Sequence, residues 1–248
     1  MKKVVLLGLL FWASGLQAQS LRVAVAANAQ FVMEALSNAF QKESGIRIEA
    51  IVNSSGKLTA QIQQGAPYDV FLSADMDYPR TLHQQQLTTG APVVYAYGSL
   101  VLWTLSDLPL NAGLNVLMNP AVHHIAIANP ETAPYGEAAI SLLTARKLLT
   151  ASQSRLVYGE SIAQVNQYIL SGAAEVGITA KSVVLDPALK QRGHWIDLPP
   201  PGYAPIAQGV VVLKRANQPA AAARLVRFLQ TATARRIFQQ FGYRSPAS

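Results

Sequence analysis

Asn53-Ser54-Ser55-Gly56-Lys57-Leu58 places two hydroxyls and several main-chain N–H groups where a strand turns into a helix. The chemistry on offer there is capture of an anion. The first N–H groups of a helix have no partner within it, and the aligned peptide dipoles leave them partly positive. The plainer reading of the same residues is that Ser54 or Ser55 only caps the helix. Three more turns repeat the arrangement. Asn28 follows the strand-like run ending Ala26-Ala27; Asn129-Pro130-Glu131-Thr132-Ala133-Pro134-Tyr135-Gly136 leads a strand into a helix; and Gly159-Glu160-Ser161-Ile162 does the same. In the last two, the donors are the main-chain N–H groups of Tyr135 and Ile162 at helix starts. Their plainer readings are a stiff proline loop and an ordinary cap. The candidate set is therefore Asn28, Ser55, Tyr135 and Ile162, with Ala27 and Ser54 as secondary members.

Holding these turns in place requires alternating strands and helices. Leu21–Ala27 and the alternating Ile46–Val52 read as strands, Phe31–Phe40 has helical apolar spacing, and Leu58 with Ile62 opens an amphipathic helix. Asp69–Ala74 reads as a buried strand introduced by Gly65-Ala66-Pro67. A second series starts at Leu100-Val101-Leu102-Trp103. It comprises strands at His124–Ala128, Arg155–Tyr158 and Val176–Thr179, and helices over Gly136–Leu149 and Ser161–Ser171. After Pro199-Pro200-Pro201-Gly202 come a strand at Gly209–Leu213 and a C-terminal amphipathic helix. This alternation predicts an α/β fold with mostly parallel sheets flanked by helices, whose ligands sit beyond the carboxyl ends of the strands. Asn28 and Ser54-Ser55 fall at such ends.

Met1-Lys2-Lys3 followed by the apolar Val4–Trp12 reads as a secretory signal, with cleavage expected after Ala18. A periplasmic location follows from that reading. With no cysteine in the chain, disulfides and thiolate metal sites are excluded. The formal charge of +7 drops by two when Lys2 and Lys3 leave, and the remaining basic residues are scattered, which argues against nucleic acid as a partner.

Taken in order, Ala26-Ala27-Asn28, Asn53–Leu58, Gly65–Asp75 and Asn129–Gly136 resemble the periplasmic molybdate-binding proteins of bacterial ABC transporters. The resemblance extends through Gly159-Glu160 and Glu175-Val176-Gly177-Ile178 to the ending Ile237–Tyr243, nearly the whole mature chain. It implies a two-lobed, type II periplasmic binding protein holding molybdate or tungstate in the cleft between lobes. The first lobe would comprise 21–97 plus 207–248 and the second 98–206, with Gly98 as a hinge. By the same resemblance Asn28 stands at a first-strand polar position, Ser55 matches the ligand serine, and Tyr135 and Ile162 supply main-chain N–H groups. Ala180 departs from the pattern, because some members carry a tyrosine there. The implied partners are an inner-membrane ABC permease and its ATPase, since the chain has no Gly-x-x-x-x-Gly-Lys-Ser/Thr loop of its own. A monomer is expected. No cofactor is expected either, molybdenum entering only as the bound oxyanion without a protein–metal bond.

The residue chemistry agrees with a fully deprotonated ligand. A tetrahedral dianion presents only acceptors, so its site needs donors and no carboxylate, whereas protonated phosphate is better met by an acidic acceptor. Sulfate or thiosulfate on the same fold is the nearest alternative. A carboxylate ligand fits less well, for no arginine stands at the candidate positions. A serine hydrolase fits worst: Ser54 and Ser55 lack the Gly-x-Ser-x-Gly elbow, and His83, His123, His124 and His194 have no evident partner. The expectation is a binding protein and not an enzyme.

Overall fold

The computed structural model describes residues 20–189 and 191–246, and the expected signal peptide at 1–18 lies outside them. In chain order the first elements are β1 (Ser20–Ala26), α1 (Gln30–Ser44), β2 (Arg47–Asn53), α2 (Ser55–Gln63), β3 (Val70–Leu72), α3 (Asp77–Gln84) and β4 (Val93–Gly98). Next come β5 (Leu100–Thr104), β6 (Ile125–Ala128), α4 (Pro134–Ala145), α5 (Leu149–Ser152), β7 (Leu156–Gly159), α6 (Ile162–Leu170) and β8 (Val176–Ala180). The last are α7 (Lys181–Val184), β9 (His194–Leu198), β10 (Ile206–Val212), α8 (Pro219–Phe228) and α9 (Ala232–Gln240).

Strand residues alternate sides, so an apolar β1 needs cover on both faces. In the first sheet Ala24 pairs with Phe71 and Phe71 with Val211, and these three meet Leu58, Ile62 and Leu82 from α2 and α3. On the other face Val23, Val25, Leu72 and Val210 meet Leu36, Phe40, Phe228 and Phe238 from α1, α8 and α9. The order of this sheet is β2-β1-β3-β10-β4, and that of the second is β7-β6-β8-β5-β9. In each, one strand runs against the rest: β10 is antiparallel to β3 and β4, and β5 to β8 and β9. Both are the strand that follows a passage from the other sheet. Those passages are Ser99 alone, between β4 and β5, and residues 199–205, between β9 and β10.

The parallel strands deliver the four turns to matching edges. β1 ends at Ala26 beside Asn53 of β2, and Ala128 of β6 lies beside Gly159 of β7. Some elements differ from the sequence reading. The helix expected over Gly136–Leu149 starts at Pro134 and breaks after Ala145, where Lys147 takes a positive φ of 58°. The single C-terminal helix is two, because Thr231 caps α9 by accepting a hydrogen bond from the Ala234 N–H at 3.3 Å. Neither β4, β9 nor α3 stands out in the sequence. Val93–Thr104 is nearly one apolar run, and Gly98-Ser99 divides it between two sheets.

The start of α4 is seated directly on the end of β6. A Cβ at Gly136 would collide with the Ala128 carbonyl oxygen and lie 2.7 Å from its carbon and 2.9 Å from that of Asn129. These are main-chain atoms and have nowhere to go. Gly136→Ala is expected to lower stability by about 1–3 kcal/mol in urea denaturation, the usual range for overpacking. An unchanged midpoint would show that α4 is not held against β6 this closely.

Candidate functional site

All six sequence-predicted residues, Ala27, Asn28, Ser54, Ser55, Tyr135 and Ile162, line one small cavity between the two sheets. Ala26, Ala74, Ala133 and Pro134 complete its wall, so among the described residues no Asp, Glu, Lys, Arg or His faces it. The space open to a water's centre is about 10 Å³, close to one water-sized sphere. The sheets are drawn together around it. On one side the Gly56 N–H donates to the Thr132 carbonyl at 2.9 Å, the Tyr78 hydroxyl to the Glu131 carbonyl at 3.3 Å, and Lys57 pairs with Glu160 at 2.6 Å. From α7, the Ser182 hydroxyl donates to the Asn28 carbonyl at 2.7 Å.

The two serines divide the roles that the sequence left open. Ser54 is the N-cap of α2, its Oγ accepting from the Lys57 N–H at 3.4 Å. Ser55 is the first helical residue, and its Oγ accepts from the Ala74 N–H at 3.0 Å. Because that N–H occupies one lone pair and no acceptor among the described residues takes the Ser55 proton, the O–H is free to donate into the cavity. Neither α4 nor α6 has a side-chain cap: Ala133 precedes one, and the Ser161 side chain makes no cap bond to the other. The main-chain N–H groups of Asn28, Ser55, Tyr135 and Ile162 likewise have no acceptor among the described residues. Four free N–H groups thus converge from two sheets with the hydroxyls of Ser54 and Ser55, neither of whose protons has an acceptor among the described residues, an arrangement suited to tetrahedral oxygens.

The Asn28 side chain is turned another way. Its two N–H donors go to Gln208 Oε1 at 2.7 Å and the Tyr243 hydroxyl at 3.0 Å, and its Oδ1 has no partner among the described residues. Asn28 offers the cavity its main chain. Tyr135 also presents its main chain, for its hydroxyl lies against Gly98. A Cβ at Gly98 would clash with that hydroxyl, meeting Tyr135 Cζ at 2.9 Å and Gln208 Nε2 at 3.0 Å. Ala180 is buried at the end of β8 and is not part of the cavity wall. All four histidines are exposed, and none lines the cavity.

Behind the wall sits a cluster of phenols that stay neutral. Burial pushes the Tyr135 and Tyr95 hydroxyls well above the ordinary phenol range, with the Tyr243 hydroxyl beside them adding to it. The Tyr243 hydroxyl is itself pushed up to about 12 by burial, against hydrogen bonds from Ser182 and Asn28. No phenolate therefore opposes an anion at neutral pH. A larger hollow of about 270 Å³ lies beyond Pro134, but Asp75, Asp77 and Glu137 line it against a single cation among the described residues, Arg80, itself paired with Asp77, which makes it a poor place for an anion. Sequence reading did not single out Ala74, Ser182, Gln208 or Tyr243. Gln208-Gly209, a lone amide and a glycine within an apolar strand, was the available signal for a bulge.

A family model described as bacterial extracellular solute-binding protein matches residues 21–244. The chain belongs to this solute-binding family. It is 37% identical to the molybdate-binding protein ModA of Azotobacter vinelandii, over 97% of this chain and 96% of that one. It is 34% identical to ModA of Rhodobacter capsulatus, over 89% and 86% of the two chains. The solved Azotobacter vinelandii periplasmic molybdate-binding protein superposes with a TM-score of 0.86, covering 92% of this chain and all of that one. These matches make the architecture that of a type II periplasmic binding protein. The sulfate-binding protein SubI of Mycobacterium tuberculosis, at 13% identity and a TM-score of 0.73, shares the fold.

In this solute-binding protein Asp75 directly follows a residue of the cavity wall. Burial raises its carboxyl from 3.8 to about 6, against hydrogen bonds from Ser73 and the Tyr78 N–H, while Asp77 and Glu137 push it up further. A raised acid favours the folded state when protonated: that stability is complete below about 3.8 and is lost as the pH rises through about 6. Asp75→Asn keeps the acceptor for Ser73 and Tyr78. Thermal melts of this variant are expected to be flatter than wild type between pH 4 and 6 and to end higher at pH 7–8. Parallel pH profiles would show that Asp75 is not perturbed.

Proposed function

We propose that the protein captures molybdate, and tungstate as its close analogue, in the periplasm and presents it to an inner-membrane ABC permease driven by its ATPase. The observation that carries this reading is the uncharged wall, in which free N–H groups at Asn28, Ser55, Tyr135 and Ile162 and the Ser55 hydroxyl meet without a carboxylate. A dianion that presents only acceptors matches such a wall, and helix starts supply fixed positive partial charge without a counter-cation. The printed names of relatives at 34–37% identity supply the choice of molybdate among dianions. Sulfate has the same charge and a smaller radius, so its rejection rests on the size of the cavity.

Binding is favoured over catalysis by the state of Ser55. Its Oγ is held by the Ala74 N–H and no histidine lies in the wall to take its proton, which suits a donor and not a nucleophile. The protein acts as a monomer of two lobes, the first built on β2-β1-β3-β10-β4 and the second on β7-β6-β8-β5-β9, which close on the anion and open to release it. The oxyanion is its cargo, held entirely through oxygen, and no further cofactor is required.

A thermal-shift series with molybdate, tungstate, sulfate and phosphate tests this. Ligand at a hundredfold over Kd stabilises by about 2.7 kcal/mol, so the first two should raise Tm by several degrees while the others leave it unmoved. If neither molybdate nor tungstate shifts the melt, the reading falls. Ser55→Ala should weaken molybdate binding by about 1.5–3 kcal/mol in calorimetry, the worth of a hydrogen bond to a charged group. Wild-type affinity in that variant would remove Ser55 from the site.

A further inference from the structure

Gln208 is fully buried on β10, at a register shift between Gln208 and Gly209 in the pairing with β4. Its Nε2 donates to two main-chain carbonyls, those of Ala74 at 3.1 Å and Ile206 at 3.2 Å. Reversing the amide would set its oxygen against both carbonyls, so the orientation is forced. Oε1 must then face Asn28, and it accepts one Asn28 N–H at 2.7 Å, while the Tyr95 hydroxyl lies 3.5 Å away and nearer the Ser73 carbonyl, at 3.3 Å. The second Asn28 N–H goes to Tyr243, whose own proton returns to the Asn28 carbonyl at 2.8 Å. Both ends of the Asn28 residue are thereby fixed, and its main-chain N–H is left for the cavity. The other branch runs through Ala74: its carbonyl is held by Gln208, and its N–H is the group that occupies Ser55 Oγ.

We infer that Gln208 is the positioning residue of the anion site, fixing through Asn28 and Ala74 which atoms of two separate turns face the cavity as donors. The inference rests on the oxyanion reading for its binding consequences, but not for its geometry. Its partner Ile206 begins the strand that enters from the second sheet, so one amide ties the donors to a passage between lobes. The bulge serves this purpose, since it turns a polar side chain of a central strand toward the site.

Two measurements test it. In calorimetry, Gln208→Leu is expected to weaken molybdate binding tenfold or more, and Ser55→Ala added to it should cost several-fold less than in the wild type, because the serine is already misaligned. Losses that multiply independently would reduce Gln208 to a structural residue and overturn the inference. The second measurement needs no anion: in ¹⁵N-labelled protein the Asn28 side-chain amide protons should be protected from solvent exchange, and Gln208→Leu should speed that exchange at least tenfold. A core variant of equal destabilisation, Leu225→Ala, should leave it unchanged; equal acceleration in both would refute the inference. Should the leucine variant fail to fold, Gln208→Glu replaces it, keeping an acceptor for Asn28 while removing the paired donation to Ala74 and Ile206. It should retain Asn28 protection yet still mask the cost of Ser55→Ala, and loss of neither would refute the second branch. A wild type that ignores molybdate would retire the oxyanion reading alone, because the exchange measurement decides the role of Gln208 without it.

Discussion

The N–H groups that begin a helix must meet an acceptor or stay in water, and here several of them are turned toward one enclosed point. No protein group among the described residues takes the N–H groups of Asn28, Ser55, Tyr135 and Ile162. Two of the helices concerned begin without any side-chain cap. Left in a closed cavity with no partner, such donors would each cost free energy comparable to a lost hydrogen bond. The rest of the architecture follows from keeping them together. Parallel strands align their carboxyl ends, each sheet offers two turns, and two passages of chain bring the sheets face to face.

Closure is distributed over contacts of different kinds. Lys57 and Glu160 form a partly exposed ion pair, which contributes little in water. The Gly56–Thr132 and Ser182–Asn28 hydrogen bonds are local and directional, so they define how the sheets meet more than how strongly. Glycine at position 56 is part of this fit, because a Cβ there would lie 2.7 Å from the Tyr78 hydroxyl and 3.0 Å from Thr132. Tyr135 links the two sheets in a physical sense: its main chain starts α4 after β6, while its ring reaches the Tyr95 and Tyr243 phenols and Gly98 at the end of β4. A charge placed at the Tyr135 N–H is therefore only one side chain away from the passage between sheets.

Much of the site was legible because local rules decide it. Strand-to-helix turns at Asn28, Ser55, Tyr135 and Ile162 follow from apolar periodicity and turn residues, and all four line the cavity. What local rules do not reach is direction. Asn28 reads as an amide donor in sequence, but its amide is consumed by Gln208 and Tyr243, 180 and 215 residues away. The choice between Ser54 and Ser55 likewise depends on Ala74, which is brought to Ser55 by the pairing of β1 with β2 and β3. The strand β5 was legible from Leu100, and the resemblance set the passage near Gly98, but β4 was not, because Val93–Gly98 becomes a strand only by pairing with β10 from more than a hundred residues later.

The two sheets also differ in how much of the chain each draws on. Every strand of the second sheet lies within Leu100–Leu198, one uninterrupted stretch of chain. The first sheet is different, for β10 sits between β3 and β4 and comes from the last fifth of the chain. Until Ile206–Val212 is inserted, β4 has no neighbour in its own sheet and the β2-β1-β3 fragment has an open edge. Gln208 lies on that same late strand, so the Asn28 and Ser55 turns receive their final orientation only when the sheet is complete. A chain lacking β10 would thus have the turns but not Gln208, the side chain that orients two of them.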